Sequence, residues 1–469
     1  MRLTKIVASI SDLRCDVEFI RSLYDAGMNV ARINTAHISP ETASMVIRNI
    51  RKVSNKIATL IDTKGPEIRT FQLKTPLEVK KGQTVFLAGH FTVEGDNQVR
   101  VTYDHFQDIL QPGNRILIDD GDIELTVVEK KDHLVCRVEN DGVIKNNKSI
   151  NLPGVSIELP SVTDKDRQFI EFAIENEMDF IAHSFVRNKE DVLEVQKILN
   201  EHNSPIKIIA KIENLDGVNN IEEILDHAYG IMIARGDLGI EIAAEKLPGI
   251  QRKLIKKAIE KKKPVIVATQ MLHSMIEHPR PTRAEVTDIA NAVYSRTDAL
   301  MLSGETAYGK YPVEAVRMMA RIAEETEMSY DGRNDVIMPP VENEIQAYLA
   351  EAAIKASNEL PAKAIIATTT TGRTSRYLSA YRGTVPVFAK CHSMRLVREM
   401  ALSFGVFPSY LEIKKNKFKI EKASISSLAQ NRSIGKDDLI IYVGGRFGQD
   451  AGASFIEIST VDKFKVEPS

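Results

Sequence analysis

Two short segments of the sequence end in charged residues that could handle a phosphoryl group. Residues 206–214 (IKIIAKIEN) carry Lys211 and Glu213, and residues 230–239 (GIMIARGDLG) carry RGD at 235–237. Each is an apolar run that ends abruptly in charge, as a buried parallel strand does when its carboxyl end opens into a pocket. Side chains two residues apart on a strand share a face, so Lys211 and Glu213 point the same way. Any one of these charges alone is typical of a protein surface, but two such ends in succession indicate a site. One lysine and two carboxylates could hold a divalent cation and neutralise a moving phosphoryl group.

The elements that must position these residues recur through two thirds of the chain, as short apolar runs that alternate with amphipathic helical patterns. The eight apolar runs lie at 4–10, 28–37, 56–65, 179–186, 206–214, 230–239, 264–270 and 299–305. Eight strand–helix units in sequence predict an α/β fold, a (β/α)8 TIM barrel, with reactive residues at the carboxyl ends of the strands. The candidate residues at those ends are Arg32, Asp62, Lys211, Glu213, Asp237, Thr269 and Ser303.

Two further regions depart from this alternation of strands and helices: one interrupts it and the other follows it. Residues 66–159 contain short alternating runs with turn signals, which predict a β-rich domain inserted after the third strand, as a lid over the catalytic face. We therefore expect a barrel at 1–65 and 160–330, the lid at 66–159, and a C-terminal α/β domain at 331–469. In the last domain, TTTTGRTS (368–375) follows a predicted strand and opens a helix. That arrangement is typical of a phosphate cradle, and equally of a capped turn without a ligand.

Composition narrows the class of protein. The chain has 469 residues, 43% hydrophobic and 27% charged, with a formal net charge of −2. These values are ordinary for a globular protein and argue against a nucleic-acid or membrane-surface partner. No apolar run reaches the length of a membrane span. Three cysteines lie far apart without a CxxC motif, which indicates a reducing, cytoplasmic setting.

Several long motifs, in order along nearly the whole chain, carry a family resemblance. They are MNVARIN (28–34), DTKGPEIRT (62–70), AKIEN (210–214), IMIARGDLGIEI (231–242), ATQML (268–272), PRPTRAEVTDIANAV (279–293) and MLSGETAYGKYPVEAV (301–316). On these motifs the chain resembles the pyruvate kinase family. The resemblance implies phosphoryl transfer between phosphoenolpyruvate and ADP, giving pyruvate and ATP, the last step of glycolysis.

The resemblance also implies residue roles at the reacting centre. Glu213 and Asp237 match Mg²⁺ ligands, and hard carboxylate oxygens suit that ion. Lys211 matches a lysine that neutralises the transferring phosphoryl group, and Arg32 matches a phosphate-binding arginine. The backbone at Arg235, Gly236 and Asp237 would meet the substrate carboxylate, with Gly236 permitting close approach. Thr269 and Ser303 match positions near protonation of the enolate, where we expect a relay from water. Structural hydrogen bonding at the strand ends is the alternative role, and it is nearly as well supported for Ser303.

The nucleotide and monovalent-cation sites depart from the family pattern in places. The residues that match nucleotide contacts are Asn34, His37, Arg69 and Lys148. The residues that match the K⁺ site are Asn34, Asp62 and Thr63, with Glu67 nearby. Ala36 stands where the family has a serine ligand, so we expect K⁺ dependence that is retained but weakened. SDLR at 11–14 replaces the family's Gly-Pro-Ala-Ser, and Ser149 replaces a glycine near the lid hinge, which predicts a stiffer closure.

The C-terminal domain resembles the family's effector-binding domain. The predicted effector-phosphate loop comprises Thr369, Thr370, Thr371, Gly372, Arg373 and Thr374, and Gly444, Gly445 and Arg446 resemble a second effector-side loop. The chain has no tryptophan, so any effector contact by that residue type is absent. The resemblance implies a phosphorylated allosteric effector and a homotetramer.

Two other functions compete with this interpretation. A barrel enzyme that binds a pyruvate enolate on Mg²⁺, such as an aldolase, would share Glu213 and Asp237 but needs neither Lys211, nor a lid, nor a nucleotide. An inactive relative kept for binding or regulation draws its only support from Ala36 and the altered loop at 11–14. Every residue expected at the transferring phosphoryl group is present, which favours the kinase.

Overall fold

The structure is a computed structural model that describes residues 1–90, 95–155, 157, 159–329, 344–413, 417–445 and 452–465, with only the backbone at 417, 418 and 465. Arg446 of the predicted second effector loop lies outside the described residues, as do residues 330–343, where we expect the barrel to join the C-terminal domain. Within the described part of the chain, no helix combines the length and apolar character needed to cross a membrane.

The strands fall into four consecutive groups along the chain. The first group is β1 (Lys5–Ser9), β2 (Val30–Asn34) and β3 (Ala58–Asp62). The second is β4 (Ile68–Phe71), β5 (Leu77–Val79), β6 (Thr84–Ala88), β7 (Gln98–Val101), β8 (Arg115–Ile118), β9 (Ile123–Lys130), β10 (Leu134–Val138), β11 (Gly142–Ile144) and β12 (Ser149–Asn151). The third is β13 (Phe180–His183), β14 (Lys207–Ile212), β15 (Gly230–Ala234), β16 (Val265–Ala268) and β17 (Ala299–Leu302). The fourth is β18 (Ala362–Thr369), β19 (Val387–Cys391), β20 (Val406–Tyr410), β21 (Leu439–Gly445) and β22 (Ala453–Thr460).

Helices separate most of these strands, and several begin at a residue whose side chain caps the first turn, whereas others have no such cap. The helices are α1 (Val17–Ala26), α2 (Pro40–Val53), α3 (Phe106–Ile109), α4 (Asp164–Glu175), α5 (Lys189–Glu201), α6 (Leu215–Asn219), α7 (Ile221–His227), α8 (Arg235–Glu241), α9 (Leu247–Glu260), α10 (Arg283–Tyr294), α11 (Gly304–Ala307), α12 (Pro312–Met328), α13 (Ile345–Glu359), α14 (Arg373–Ala380), α15 (Met394–Met400) and α16 (Lys417–Gln430). Short 3-10 turns lie at Ala244–Lys246, His273–Ile276 and Lys463–Lys465. Thr163 with Asp166, and Thr282 with Glu285, form reciprocal capping boxes that fix the starts of α4 and α10.

The first and third strand groups close into one parallel barrel. Its order is β1-β17-β16-β15-β14-β13-β3-β2, so each of the eight predicted runs supplies one strand. The prediction of a (β/α)8 barrel is therefore confirmed. All strand residues of β15 and β16 are buried, because helices cover the outside and side chains fill the inside. The carboxyl ends of the eight strands open on one face, where the candidate residues lie.

The inserted segment forms its own β structure. Seven of its strands close in the order β10-β6-β7-β4-β12-β8-β9, and β11 pairs with β5. Its core is a cluster of aliphatic side chains with Phe106, separate from the core of the large barrel. An insertion after β3 with an independent core agrees with the predicted lid.

The C-terminal sheet has the order β20-β19-β18-β21-β22, with β22 antiparallel to β21. Sequence reasoning found four of these strands and missed β20. Pro408 lies within β20 and is a residue that weakens a strand prediction. The strand tolerates it because β20 lies at the edge of the sheet, where one side needs no ladder partner.

The C-terminal domain packs against the amino ends of the barrel strands. Ala401 and Leu402 join the apolar cluster that fills the barrel interior. Arg382 donates to both carboxylate oxygens of Asp298, which precedes β17, and the Phe404 amide donates to the same carboxylate. The catalytic face is therefore opposite the face that carries the C-terminal domain.

Candidate active site

Lys211 is the centre of the candidate site. Its Nζ lies 2.9 Å from Asp62 Oδ1, 3.0 Å from Glu213 Oε1 and 2.6 Å from Ser184 Oγ. Burial acts to lower the pKa of Lys211, but the charges of Asp62 and Glu213 outweigh it and hold the pKa above its usual value. The ammonium group is therefore a fixed positive charge at the end of β14. Glu213 lies beside it on the same face, as the two-residue spacing predicts.

Glu213 and Asp237 supply the negative charge beside it. Glu213 Oε2 accepts the Phe185 amide at 2.8 Å. Burial raises the pKa of Glu213 to about 7, against the opposing charge of Lys211 and with a contribution from Asp237. Burial also raises the pKa of Asp237, with further contributions from Asp120 and Glu67. Two carboxylates that burial and mutual repulsion destabilise as anions suit a divalent cation, which would relieve both.

No group of three or more protein side chains arranged to hold a metal occurs among the described residues. A cation bound at Glu213 and Asp237 would therefore take its remaining oxygens from substrate and water. That is the usual coordination of Mg²⁺, which keeps several non-protein ligands.

Arg32 extends the charge network to the end of β2. Its Nε donates to Asp62 Oδ2 at 2.6 Å, and its Nη1 donates to Ser9 Oγ at 2.9 Å. Burial alone would raise the pKa of Asp62, but Arg32 and Lys211 reverse the shift and lower it. Asp62 thus remains ionised between two cations and holds both in place.

Thr269 and Gly236 meet across the ends of β16 and β15. Thr269 Oγ1 accepts the Gly236 amide at 2.7 Å and donates to the Ala268 carbonyl at 2.6 Å. Thr269 and Gln270 both have positive φ, 69° and 55°. A β-branched residue in the left-handed region is strained, and strain of this kind concentrates at functional sites.

The Arg235 side chain acts as a brace. Its Nη1 donates to both Asp288 oxygens at 2.8 and 2.7 Å, and its Nη2 donates to the Thr269 carbonyl at 2.7 Å. Only its backbone remains available for the predicted substrate contact. Ser303 follows β17, and its buried Oγ has no hydrogen-bond partner in the part of the chain that the structure describes. An unpartnered buried hydroxyl is costly unless a ligand or water uses it.

A cavity of about 410 Å³ lies between the lid and the barrel and reaches Asp237. Two of the predicted nucleotide residues, Arg69 and Lys148, line it, whereas Asn34 and His37 do not. Arg69 is paired with Glu67 at 2.7 Å, and Lys148 with Asp119 at 2.7 Å. The structure therefore divides the four predicted nucleotide residues into two pairs. Arg69 and Lys148 lie under the lid, and the charge of each is already balanced by a carboxylate.

The residues predicted to bind K⁺ have protein partners. Asn34 Oδ1 accepts the Ala36 amide at 3.1 Å, and the Thr63 carbonyl accepts the Ser184 hydroxyl at 2.6 Å. Both Asp62 oxygens contact the cations already described. Ala36 contributes no side-chain oxygen, so the set is poorer in free oxygens than the sequence suggests.

The predicted effector loop has the predicted strand–turn–helix form. Gly372 has φ of 79°, a conformation that favours glycine, and its amide donates to Thr369 Oγ1 at 2.8 Å. Arg373 Nη2 lies 2.9 Å from Glu344. Thr370 is exposed and Thr374 is buried. The Thr371 carbonyl accepts Nη2 of Arg376 at 3.2 Å.

Sequence reasoning missed three residues of this site. Ser184 follows β13 and connects Lys211 with Thr63, and its position at a strand end was the available signal. Asp119 and Asp120 lie in the lid turn after β8, both with φ of 56°, and both line the cavity. An Asp-Asp-Gly-Asp turn gave a local signal for a turn, but none that it reaches the barrel.

A parallel barrel with a buried lysine and two carboxylates under a lid defines an enzyme for an anionic substrate. The family profiles agree: residues 1–316 match "Pyruvate kinase, barrel domain" and residues 348–459 match "Pyruvate kinase, alpha/beta domain". A pyruvate kinase of Borreliella burgdorferi is 48% identical over 98% of both chains. One of Bacillus licheniformis is 40% identical over 98% of this chain and 81% of its own. The solved structure of a pyruvate kinase from Cryptosporidium parvum has a TM-score of 0.93 and 35% identity, covering 98% of this chain and 96% of its own.

The chain belongs to the pyruvate kinase family, and its activity is that of a phosphotransferase of this kind.

Proposed function

We propose that the chain catalyses Mg²⁺-dependent phosphoryl transfer from phosphoenolpyruvate to ADP, giving pyruvate and ATP. The observation that carries the proposal is the position of Lys211 Nζ, within 3.0 Å of both Asp62 and Glu213 at the open end of the barrel. A buried cation held by carboxylates is preorganised for a phosphoryl group, whose charge it neutralises without reorganisation.

Each remaining residue has a role that its contacts support. Arg32 and Lys211 bind the phosphate, and Asp62 orients both. Glu213 and Asp237 would hold Mg²⁺, which would supply further neutralisation of the phosphoryl charge. A Cβ built on Gly236 would meet nothing closer than 3.7 Å, so the protein itself does not require glycine there. A substrate carboxylate that approaches the backbone at 235–237 explains the glycine.

The hydroxyls of Thr269 and Ser303 serve the proton that the enolate takes up at carbon. Ser303 Oγ is buried and unpartnered, which supports a hydroxyl that binds a relaying water. Arg69 and Lys148 bind the nucleotide phosphates after release from Glu67 and Asp119, whereas Asn34 and His37, which do not line that cavity, bind a separate part of the nucleotide at the end of β2. The lid excludes water from the transfer.

The test measures pyruvate release from phosphoenolpyruvate and ADP in the presence of Mg²⁺, for the wild type and Lys211→Met. We expect kcat of Lys211→Met to fall by at least about 10²–10³-fold, the usual loss of a preorganised electrostatic contact. Lys197→Met, which alters an exposed lysine on α5, is the matched control and should retain wild-type turnover. Equal turnover in both variants would sink the proposal.

Dependence on K⁺ is part of the same proposal. Asn34, Asp62 and Thr63, with Glu67 nearby, would bind K⁺ weakly, because Ala36 lacks an oxygen and the other oxygens already have partners. We expect Ala36→Ser to lower the K⁺ concentration needed for half-maximal activation by severalfold. Full activity of the wild type without a monovalent cation, unchanged by added K⁺, would contradict it.

Regulation and assembly follow the family pattern in this proposal. A phosphorylated effector binds at Thr369, Thr370, Thr371, Gly372, Arg373 and Thr374, the chain forms a homotetramer, and it works in the cytoplasm. The buried, unbridged Cys15, Cys136 and Cys391 support a reducing compartment.

A further inference from the structure

Strand β15 is held at its amino end by a contact with the C-terminal domain. Tyr229 immediately precedes β15 and packs against the apolar cluster inside the barrel. The guanidinium of Arg376 lies over the Tyr229 ring, 5.6 Å from its centroid. A planar guanidinium over an aromatic face is a favourable and directional contact.

Arg376 has further partners, all within its own domain. Its Nη1 donates to Glu399 Oε1 at 3.0 Å, and its Nη2 donates to the Thr371 carbonyl at 3.2 Å. One side chain therefore connects the predicted effector loop, helix α15 and the start of β15. The Tyr229 hydroxyl is also buried, and it interacts with the side chains of Arg376 and Glu399, so the contact with β15 uses both the ring face and the hydroxyl.

The other end of β15 carries the residues that the reaction uses. Gly236 and Asp237 lie in the first turn of α8, just past the strand, which spans about 17 Å from Tyr229 to Ala234 at the usual rise per residue. The strand is bonded on both sides, to β14 and to β16. A close-packed strand cannot stretch, so a displacement of its amino end moves its carboxyl end.

We propose that Arg376 is a positioning residue for the reaction, which acts through Tyr229 and β15 on Gly236 and Asp237. Because Arg376 also binds the Thr371 carbonyl, a ligand at the effector loop changes the same contact. This second part rests on the proposed effector role of residues 369–374, whereas the first part does not.

A second contact across the same interface shows how the contact of Arg376 with Tyr229 differs from one that only holds the two domains together. Arg398 also crosses the interface, with its Nε 2.7 Å from Asp179 Oδ1 before β13. Asp179 keeps other partners, because it accepts the Thr59 amide at 2.8 Å and contacts Arg51 at 3.3 Å. Loss of Arg398 therefore leaves the start of its strand anchored. Loss of Arg376 instead removes the interdomain cation from the Tyr229 ring, and leaves the ring with contacts inside the barrel, to Lys207 and Phe180 at 5.9 Å each.

The experiment compares steady-state kinetics of Arg376→Ala, Tyr229→Leu, Tyr229→Phe and Arg398→Ala without effector. We expect Arg376→Ala and Tyr229→Leu each to raise KM for phosphoenolpyruvate at least about fivefold, with kcat changed less than twofold. Tyr229→Phe keeps the ring face but loses the hydroxyl, and it should raise KM less than Tyr229→Leu does. The double variant should be no worse than either single variant, since both remove one contact. Arg398→Ala should lower the Tm but leave KM unchanged.

A wild-type KM in Arg376→Ala and Tyr229→Leu, or an equal rise in Arg398→Ala, would overturn the inference. The effector arm adds inorganic phosphate and a panel of sugar phosphates to the wild type and to Arg376→Ala. We expect a ligand to shift KM in the wild type but not in Arg376→Ala. If Arg376→Ala shows the same shift, the effector loop does not act on KM through Arg376. A wild type that responds to none of these probes refutes the effector loop, and the comparison without effector still decides the positioning role.

Discussion

Lys211 remains charged in a buried position because Asp62 and Glu213 lie within 3.0 Å of its Nζ. Asp62 in turn remains ionised because Arg32 contacts its second oxygen. The charges of the site are therefore interdependent, and removal of any one partner leaves another buried charge uncompensated. Substituting any of these residues would lower both the activity and the free energy of unfolding, so the two effects could not be separated. The tests at the scale of the residue therefore use side chains that are uncharged in the folded protein.

Gly236→Ala separates catalysis from folding. A Cβ at this position would have only ordinary contacts with Thr269, so we expect the Tm to stay within about 2 °C of wild type. The added methyl group occupies the space where a substrate carboxylate would approach the backbone, and KM for phosphoenolpyruvate should rise at least about tenfold. Gly249→Ala, with open space around its Cβ, is the matched control and should leave KM unchanged. A wild-type KM in Gly236→Ala would exclude this backbone from substrate binding.

His183 gives stability a dependence on pH. Both ring nitrogens are buried without a hydrogen-bond partner in the described structure. Burial lowers the pKa of His183 from 6.5 to about 4, although Asp191, Asp166 and Glu194 face it and oppose the shift, and Lys211 adds to it. The folded state thus disfavours the protonated ring. Above pH 6.5, His183 is neutral in the folded and unfolded states and does not change the free energy of unfolding. As the pH falls from 6.5 to about 4, the unfolded state takes up a proton that the folded state excludes, and the free energy of unfolding falls by on the order of 3 kcal/mol.

The measurement is the free energy of unfolding in urea between pH 7 and pH 4. We expect His183→Leu to flatten the decline of stability over this range, because leucine cannot take up a proton. His105→Leu, at an exposed lid histidine, should keep the wild-type slope. The same slope in all three proteins would show that His183 is not the titrating group.

At the scale of elements, the ends of β15 and β16 are joined to α10 by the Arg235 brace. The guanidinium contacts both oxygens of Asp288 and the carbonyls of Ala268 and Thr269. Without Asp288, the Arg235 guanidinium loses its ion-pair partner on α10, and the strained turn at Thr269 can relax. We expect Asp288→Ala to lower kcat about tenfold, since small misplacements of reacting groups are costly. Asp226→Ala, which removes an exposed partner of Lys261, should have wild-type kcat. Equal rates in both variants would contradict the brace.

The sequence predicted elements and strand-end residues better than the contacts between them. All eight barrel strands were predictable, because strands buried on both faces are continuous apolar runs. The pairing of Lys211 with Glu213 followed from the two-residue period of a strand. Arg235 and Asp288 are 53 residues apart in sequence, and no local pattern indicates that they meet. Strand β20 was missed because Pro408 is acceptable only at a sheet edge, and edge position is a property of the assembled sheet.

At the scale of the whole molecule, the barrel presents chemistry at one end and binds the C-terminal domain at the other. The interface contains a buried lysine, Lys5, whose Nζ donates to the Val406 carbonyl at 2.6 Å, and burial lowers the pKa of Lys5 to about 7. It also contains the pair of Arg382 and Asp298, which are only 2% and 3% exposed. Charged groups at an interface specify one docking geometry, because any other leaves them unpaired.

Arg382→Met tests how far this interface stabilises the molecule. Asp298 would keep the Phe404 and Val265 amides but lose its only cation among the described ion pairs. A buried carboxylate without its counter-charge is destabilising by about 3–5 kcal/mol. We expect the midpoint of urea unfolding, followed by circular dichroism since the chain lacks tryptophan, to fall accordingly at fixed protein concentration. Arg115→Met breaks an exposed lid pair with Glu124 and should cost less than about 1 kcal/mol. If the two variants unfold at the same midpoint, the C-terminal domain is held by its apolar contacts, and the ion pair contributes only the choice of docking geometry.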